Sequence, residues 1–286
     1  MGDFVLLFPG QGSQEPDMVE TVARLRPDLL ELAAEVVGED PFARVGDGTR
    51  FDQPAIYCAA LAGFERAGCP EADFYAGHSM GEITALAAAG ALSDEDGLRL
   101  VAERGRLMEA TAARTGGAML AIKAGRDEAA PVAERHGLAV ANDNSPQQVV
   151  LSGPLPGIEA AEAEAGKEGM RAKRLPITGA FHSPLMADAV EPFLSFLQDI
   201  ELRAPRAPVF SCVTAAPFDD VPERLSEALV KPVRWVEVQH ALYAAGGRRF
   251  QETGPGKALA GLARRTLEGV EIVAAEPAEP AGTAGE

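Results

Sequence analysis

The sequence predicts an α/β fold in which a mostly parallel sheet is flanked by helices and a smaller α+β unit is inserted. Short apolar runs alternate with helix-like segments along most of the chain, as in a parallel sheet with helical crossovers. The pattern changes between 116 and 178, where strand-like runs become denser. The chain has 286 residues, 47% of them hydrophobic, which is enough for one large domain that carries a smaller one.

The first part of the core begins with a strand that ends at the turn residues Pro9-Gly10. The helices that follow are predicted from apolar residues that recur at helical spacing, and Ser93 is a suitable N-cap for one of them. The strands predicted in this part are Asp3–Phe8 and Phe74–Ala76. The helices predicted in it are Asp17–Val37, Gln53–Ala67, Ser79–Ala89 and Asp94–Ala113.

Residues 116–178 are predicted to form an inserted subdomain. Its strands are expected at Ala118–Ala124, Leu138–Asn142, Gln147–Gly153 and Arg171–Leu175. Its helices are expected at Arg126–His136 and Ile158–Glu168. The resulting βαββαβ order is the ferredoxin-like pattern. The two segments outside the insert, residues 1–115 and 179–275, then form the α/β core.

The last part of the chain returns to alternating helices and strands. Helices are predicted at Ser183–Ile200, Pro222–Leu229, Arg234–Ala245 and Lys257–Leu267. Strands are predicted at Val209–Val213 and Arg249–Glu252. Residues 276–286 are dominated by Pro, Ala, Gly and Glu, a composition typical of a disordered tail.

The formal net charge of −17 makes the chain a poor general binder of nucleic acid or anionic membrane. An anionic substrate therefore needs a local positive site, so individual arginines matter more than the total charge. Three cysteines without metal-like spacing fit a reducing compartment, and we expect a cytoplasmic protein without a metal site. The N-terminus enters an apolar run with no basic segment before it, so no signal peptide is expected.

The motif Gly77-His78-Ser79-Met80-Gly81 lies between a predicted strand and a predicted helix. In that context a G-x-S-x-G run exposes the serine hydroxyl on a sharp turn at a helix N-terminus. Free N–H groups at the helix N-terminus stabilise an oxyanion. Ser79 is therefore the candidate nucleophile, and the alternative is a glycine turn with a capping serine.

A serine nucleophile needs a base, and the chain has only four histidines. His78 adjoins the serine and should point away from it, His136 ends a helix of the insert, and His240 lies in mid-helix. His182 lies where the chain leaves the insert, in the kind of loop that holds catalytic groups in open α/β sheets. By elimination and position, His182 is the best base. No Asp or Glu stands out as its partner, so a backbone carbonyl is expected to orient it.

A second glycine run, Gly10-Gln11-Gly12, follows the first strand. It lacks the third glycine of a dinucleotide fingerprint and the lysine of a Walker loop. A loop at the carboxyl edge of the sheet can instead present the backbone N–H of Gln11 to the same oxyanion. The alternative is a phosphate-type turn or a plain loop.

Taken together, these runs resemble the malonyl-CoA:acyl carrier protein transacylase family over nearly the whole chain, to about Leu267. Several motifs in one order are far more specific than any one alone. The residues that carry the resemblance are Phe8–Gln14, Gln53–Ala55, Gly77–Glu82, Arg104–Met108, Asn142–Pro146, Gly179–Ser183, Pro232–Trp235 and Gly254–Lys257.

The resemblance implies a role for each site residue. Ser79 would accept the acyl group from coenzyme A in a ping-pong reaction, with His182 as general base and then general acid. The backbone N–H groups of Gln11 and Met80 would form the oxyanion hole. Arg104 would bind the free malonyl carboxylate through two parallel hydrogen bonds, whereas on its own it would be interpreted as a surface helix arginine.

Three further positions are interpreted through the same resemblance. Phe181 is similar to the malonyl-selecting form of related acyltransferase domains, in which a bulky ring leaves little room for a 2-methyl branch. One methyl group is typically worth about 1–3 kcal/mol of discrimination, so partial selectivity is expected. Met80 stands where the family usually has Leu, a change that a backbone role tolerates. Ala228 stands where a Gln carbonyl receives the histidine N–H in relatives.

The predicted function is transfer of a malonyl group from malonyl-CoA to the phosphopantetheine thiol of an acyl carrier protein, with type II fatty acid synthesis as the default pathway. A free-standing acyltransferase of polyketide synthesis or of a malonate decarboxylase system would have a similar sequence. An α/β-type serine hydrolase and a non-catalytic docking subunit are more distant alternatives. We expect a monomer that needs no cofactor besides its coenzyme A thioester substrate. The acidic carrier would require a basic rim, formed by Lys167, Arg171, Lys173 and Arg174 or by Arg264 and Arg265.

Overall fold

The structure, a computed structural model, describes residues 3–274. The predicted tail at 276–286 lies outside the described residues. The strands are β1 (Phe4–Phe8), β2 (Phe74–Gly77), β3 (Ala118–Ile122), β4 (Ala139–Ser145), β5 (Gln148–Gly153), β6 (Ala172–Arg174), β7 (Val209–Phe210), β8 (Arg249–Glu252) and β9 (Glu271–Val273). The α-helices are α1 (Met18–Leu25), α2 (Pro27–Val37), α3 (Thr49–Arg66), α4 (Gly81–Ala88), α5 (Asp94–Thr115), α6 (Arg126–Arg135), α7 (Leu155–Lys167), α8 (Val190–Leu197), α9 (Val221–Glu227), α10 (Trp235–Ala244) and α11 (Ala258–Thr266).

The larger sheet is parallel and has the strand order β7-β2-β1-β8-β9. Its central strand β1 is buried on both faces, as expected of a parallel sheet covered by helices. Leu6 and Phe8 pack into one hydrophobic core, and Val5 and Leu7 pack into a second core on the opposite face. The α/β fold with a parallel sheet and flanking helices is therefore confirmed. The loops after β1 and β2 leave the same edge of this sheet side by side, because these two strands are hydrogen-bonded neighbours.

The smaller sheet takes all its strands from residues 118–174 and has the order β4-β5-β3-β6, with antiparallel pairing throughout. The segment runs βαββαβ, with α6 and α7 as its helices. Its strand β4 also reaches the large core, because the Val233 N–H donates to the Ala141 carbonyl and the Asp143 N–H donates to the Val233 carbonyl. A cleft thus forms where the two sheets approach each other.

Two of the predicted helices are divided in the structure. The predicted helix Asp17–Val37 is two helices, α1 and α2, because Pro27 begins a new helix at its first position. The predicted helix Ser183–Ile200 is a 3₁₀ segment at Pro184–Ala189 followed by α8. The strand β9, which pairs with β8, was not predicted. None of these differences falls at a candidate site residue.

None of the helices within residues 3–274 combines the length and the apolarity that a bilayer crossing requires.

Candidate active site

Ser79 lies on a sharp turn between β2 and α4. Its backbone has φ +55°, in the left-handed region that a side chain with a Cβ rarely adopts. The helix begins after the serine rather than at it, because the first helical residue is Gly81. The turn is closed by bonds from the Gly81 N–H to the His78 carbonyl and from the Glu82 N–H to the Ser79 carbonyl, each 3.0 Å. The serine hydroxyl is thereby held just before the N-terminus of α4.

The two glycines of the motif are required by close contacts. A Cβ on Gly77 would lie 1.9 Å from the carbonyl carbon of Gly81. A Cβ on Gly81 would lie 2.3 Å from the carbonyl oxygen of Phe8, at the end of the neighbouring strand. Atoms at those distances overlap, so only glycine allows strand, turn and helix to pack this closely. The spacing of the motif is a consequence of this packing.

The hydroxyl of Ser79 is 2.8 Å from Nε2 of His182, a residue 103 positions later in the sequence. The other ring nitrogen, Nδ1, lies 2.7 Å from the carbonyl oxygen of Ala228 and 3.2 Å from that of Lys231. A carbonyl only accepts, so Nδ1 carries the hydrogen and Nε2 keeps its lone pair for the serine O–H. The structure therefore brings together Ser79, His182 and Ala228 as a Ser–His pair oriented by backbone oxygens.

Burial keeps His182 uncharged. The side chain is buried, and burial, together with the nearby Arg104 guanidinium and His78, lowers the pKa of His182 from its usual 6.5 to about 3. The carbonyls of Ala228 and Lys231 act in the opposite direction but do not offset the burial. A neutral imidazole is the form that takes a proton from a serine hydroxyl.

Arg104 is buried on α5, with only 3% of its surface exposed. Its Nη2 donates to the Ser79 hydroxyl at 3.0 Å, and its Nη1 donates to Oε1 of Gln53 at 3.0 Å. Burial lowers the pKa of Arg104 to about 10, and the carboxylate of Glu82 counteracts this. The guanidinium remains charged at neutral pH. Among residues 3–274 no carboxylate pairs with it at ion-pair distance, so its positive charge is available within the site.

The remaining predicted residues line the same cleft. Its volume is about 650 Å³, and Gln11, Met80 and Phe181 are on its wall together with Ser79 and Arg104. Within the described residues, the backbone N–H groups of Gln11 and Met80 bond to no protein acceptor. They follow the turn glycine Gly10 and the nucleophile respectively, so both can donate to an oxygen that enters beside Ser79. All seven predicted site residues are thus gathered at one place.

Comparison with known proteins identifies the family. The model of the acyl transferase domain family matches residues 33–283. The polyketide biosynthesis protein ThaF of Burkholderia thailandensis is 41% identical over 97% of this chain and 26% of its own length. The polyketide biosynthesis malonyl CoA-acyl carrier protein transacylase BaeC of Bacillus velezensis is 36% identical over 91% of this chain and 95% of its own length. The chain belongs to the malonyl-CoA:acyl carrier protein transacylase family.

Solved structures of transacylases of this family share the whole architecture. The malonyl-CoA:acyl carrier protein transacylase (FabD) of Xanthomonas oryzae pv. oryzae matches with a TM-score of 0.89 and 33% identity, over 97% of this chain and 96% of that one. A malonyl-transacylase in complex with its type II PKS acyl-carrier protein matches with a TM-score of 0.88 and 29% identity, over 96% of each chain. The chain spans only 26% of ThaF and 36% of PksE of Bacillus subtilis, the first two curated relatives.

Two buried side chains near Ser79 were not assigned a role from the sequence. His78 was expected only to point away from the serine; its Nε2 lies 2.8 Å from Oδ1 of Asn144 on β4, so it ties the turn at Ser79 to the smaller sheet. Glu82 accepts from the Cys212 N–H at 2.7 Å, and burial raises its pKa to about 7. Their place inside the Gly77–Glu82 run is the sequence feature that could have drawn attention to both residues. Their hydrogen-bond partners, Asn144 and Cys212, are distant in sequence and could not be predicted from it.

We predict that the nucleophilicity of Ser79 is insensitive to pH between 8 and 5. Proton uptake by His182 would block it as a base, and because its pKa is lowered to about 3, that loss falls below this range. The measurement is the second-order rate of Ser79 labelling by a fluorophosphonate, followed by intact mass.

The stability of the fold, unlike the labelling rate, should depend on pH in this range. The unfolded histidine binds a proton below about pH 6.5 while the folded one does not, so the free energy of unfolding decreases as pH falls from there. Circular dichroism at each pH therefore accompanies the rates, and Ser79→Ala is the unlabelled control. A labelling rate that halves near pH 6.5 while the fold stays intact would contradict the prediction.

Proposed function

We propose that this protein transfers a malonyl group from malonyl-CoA to the phosphopantetheine thiol of an acyl carrier protein through a Ser79 acyl-enzyme. The observation that carries the proposal is Arg104, a buried guanidinium 3.0 Å from the nucleophile and free of a carboxylate partner among the described residues. A thioester that kept a free carboxylate would satisfy that charge, since a guanidinium binds a carboxylate through paired hydrogen bonds.

The geometry supports a two-step reaction. As the Ser79 oxygen attacks the thioester carbon, its proton passes to Nε2 of His182, and the N–H groups of Gln11 and Met80 stabilise the oxyanion. The C–S bond then breaks, and the coenzyme A sulfur takes the proton back from His182. In the second step His182 removes the proton of the carrier thiol, the thiolate attacks the malonyl ester, and Ser79 leaves with that proton. No cofactor is required in either step, and this absence of a cofactor stays a prediction.

A hydrolase of the α/β class fits the site less well. In that class the histidine is oriented by an Asp or Glu that lies between serine and histidine in the chain. Here Nδ1 of His182 faces the carbonyls of Ala228 and Lys231, both later in the sequence. A buried arginine beside the nucleophile also has no purpose for an acyl group without a charge.

Phe181 supports selection of malonyl over methylmalonyl. Its ring is 6% exposed and lines the cleft, so a branched acyl group would need the space that it fills. The sequence leaves three pathways open: fatty acid synthesis, polyketide synthesis and malonate decarboxylation. The relatives ThaF, PksE and BaeC carry polyketide names, which favours a polyketide acyltransferase over our default of fatty acid synthesis. A monomeric state and a cytoplasmic location remain predictions.

The reaction is tested by intact mass after incubation with malonyl-CoA and then with holo carrier protein. We expect a malonyl adduct on the wild type that disappears when carrier protein is added, and no adduct on Ser79→Ala. Release of free malonate at an equal rate without carrier protein would favour hydrolysis instead. Intact Ser79→Ala protein that still carried the adduct would exclude Ser79 as the acceptor.

Loss of Arg104 should change acyl selectivity. Arg104→Ala removes charge-assisted bonds to the malonyl carboxylate, so kcat/KM for malonyl-CoA should fall about a hundredfold or more relative to that for acetyl-CoA. The matched control is Arg106→Ala on the same helix, whose side chain is 58% exposed and pairs with Glu103. Equal losses with malonyl-CoA and acetyl-CoA would remove carboxylate recognition as the role of Arg104.

We propose that the carrier protein docks over a basic groove beside the cleft. This groove, of about 410 Å³, is lined by Lys123, Arg171, Lys173 and Arg265 and shares Ala121 and Gln148 with the cleft. The four cationic side chains are exposed. Residues 116–178 supply three of these side chains, and α11 supplies Arg265. The βαββαβ order of 116–178 supports its assignment as a ferredoxin-like subdomain.

Only some of the residues predicted from the sequence to form the basic rim for the carrier protein line this groove. Lys167, Arg174 and Arg264 do not line the groove. Arg174 lies on the face of β6 opposite Lys173 and pairs with Glu162 at 2.7 Å. Because that pair neutralises it, Arg174 is a suitable control for charge changes at its neighbour.

The triple variant Arg171→Gln, Lys173→Gln and Arg265→Gln should raise the KM for holo carrier protein roughly three- to tenfold at low salt. The difference should shrink as salt screens the charges, and the rate of malonyl loading from malonyl-CoA should barely change. Arg174→Gln should behave as the wild type. An unchanged KM for the triple variant at low salt would rule this groove out as the docking surface.

A further inference from the structure

The first turn of α3 carries three buried polar side chains, and two of them, Asp52 and Gln53, line the cleft. Thr49, Asp52 and Gln53 are 5%, 4% and 1% exposed, and their spacing puts them on neighbouring positions of one helix face. Such burial is costly for a carboxylate unless each oxygen has a donor. Here Oδ1 of Asp52 accepts from the Gly46 N–H at 2.8 Å, and Oδ2 accepts from Nε2 of Gln11 at 3.0 Å.

These residues belong to one continuous chain of hydrogen bonds. Gln11 receives the Thr49 hydroxyl on its Oε1 at 2.5 Å, and Thr49 in turn accepts from Nε2 of Gln53 at 3.1 Å. Gln53 accepts from Nη1 of Arg104 at 3.0 Å, and Arg104 reaches Ser79. This chain of hydrogen bonds therefore connects the glycine loop, which bears the Gln11 N–H, to the Arg104 guanidinium beside Ser79.

The two ends of the chain decide its direction. A guanidinium only donates and a carboxylate only accepts, whereas the amides and the hydroxyl between them can be turned either way. With Arg104 at one end and Asp52 at the other, one orientation satisfies every bond, and each group donates toward Asp52. Each bond in such a chain also polarises its neighbours.

We propose that Asp52 is a positioning residue that fixes this direction and so holds the Gln11 loop and Arg104 in their working orientations. The inference rests on the proposed function, since it assigns Asp52 to the support of the oxyanion site and of the carboxylate-binding arginine. Nothing in the hydrogen bonding of Asp52 requires contact with the acyl group. Its effect passes through Gln11 and Thr49.

Replacing Asp52 by Asn tests the direction of the chain with almost no change in shape. Asn offers one acceptor oxygen and one NH₂ group, so the bond from Gly46 or the bond from Gln11 is lost, or the Gln11 amide turns over. A turned Gln11 reverses Thr49 and Gln53 and brings the NH₂ of Gln53 against the donors of Arg104. Every one of these outcomes leaves a buried polar group unsatisfied.

We expect Asp52→Asn to lower kcat/KM for malonyl loading of Ser79 roughly 10- to 100-fold, with a smaller loss for acetyl-CoA. Asp47→Asn is the matched control, because Asp47 lies in the same segment, is exposed and, among residues 3–274, has Arg44 as the sole ion-pair partner of its carboxylate. Thr49→Val should resemble Asp52→Asn, Thr49→Ser should restore most of the rate, and the double variant Asp52→Asn/Thr49→Val should lose little more than either single change.

The overturning results are specific. Asp52→Asn as fast as Asp47→Asn, or losses that add in the double variant, would show that Asp52 does not act through this chain. A wild type that takes up no malonyl would overturn the proposed function instead. The fluorophosphonate labelling rate of Ser79 then still decides the inference: folded Asp52→Asn protein should label several-fold more slowly than Asp47→Asn, and equal rates would overturn it.

Discussion

The hydrogen bond between Ser79 and His182 is the constraint on which the site depends, because it joins two residues that both have unfavourable backbones. Their φ angles are +55° and +56°, in the left-handed region, where a residue with a Cβ loses about 1–2 kcal/mol. Neither conformation is an intrinsic preference, so the surrounding packing must impose it. For Ser79 that packing is the contact of Gly77 and Gly81 with each other and with the end of β1.

The electrostatics of the site follow from how His182 is oriented. A carboxylate that oriented His182 would place a buried anion beside the ring, whereas the carbonyls of Ala228 and Lys231 orient the ring without a charge. The imidazole then stays neutral, and the Arg104 guanidinium is the dominant charge beside the nucleophile. In a chain with a net charge of −17, this cation is the local positive charge that the proposed malonyl substrate requires.

Local sequence patterns predicted the parts of the site that depend on local structure. The glycines around Ser79 and the turn after β1 were identified because backbone geometry dictates their residue types. His182 was found by elimination among four histidines. Arg104 was assigned only through the family resemblance, since on a helix its burial depends on packing against α3, which no periodicity reveals. Asp52 was missed because a carboxylate in a first helical turn is usually a favourable end charge, whereas its two donors come from other segments.

The position of the cleft between two sheets bears on the proposed reaction, in which Ser79 meets first malonyl-CoA and then a carrier protein. The residues proposed to react with or bind the acyl group belong to the large core; they are Ser79, Arg104 and Gln11. Three of the four groove cations belong to the segment 116–178. The contacts of Asn144 with His78 and of Val233 with β4 fix these two parts against each other. With the proposed reaction at Ser79 and the proposed docking groove, chemistry and docking are divided between the two sheets, so the groove cations can change for a different carrier while the network around Ser79 stays intact. This proposed division fits a family in which some relatives are named for polyketide biosynthesis and others only as malonyl-CoA:acyl carrier protein transacylases, because one acyl-transfer site can then face different carrier proteins.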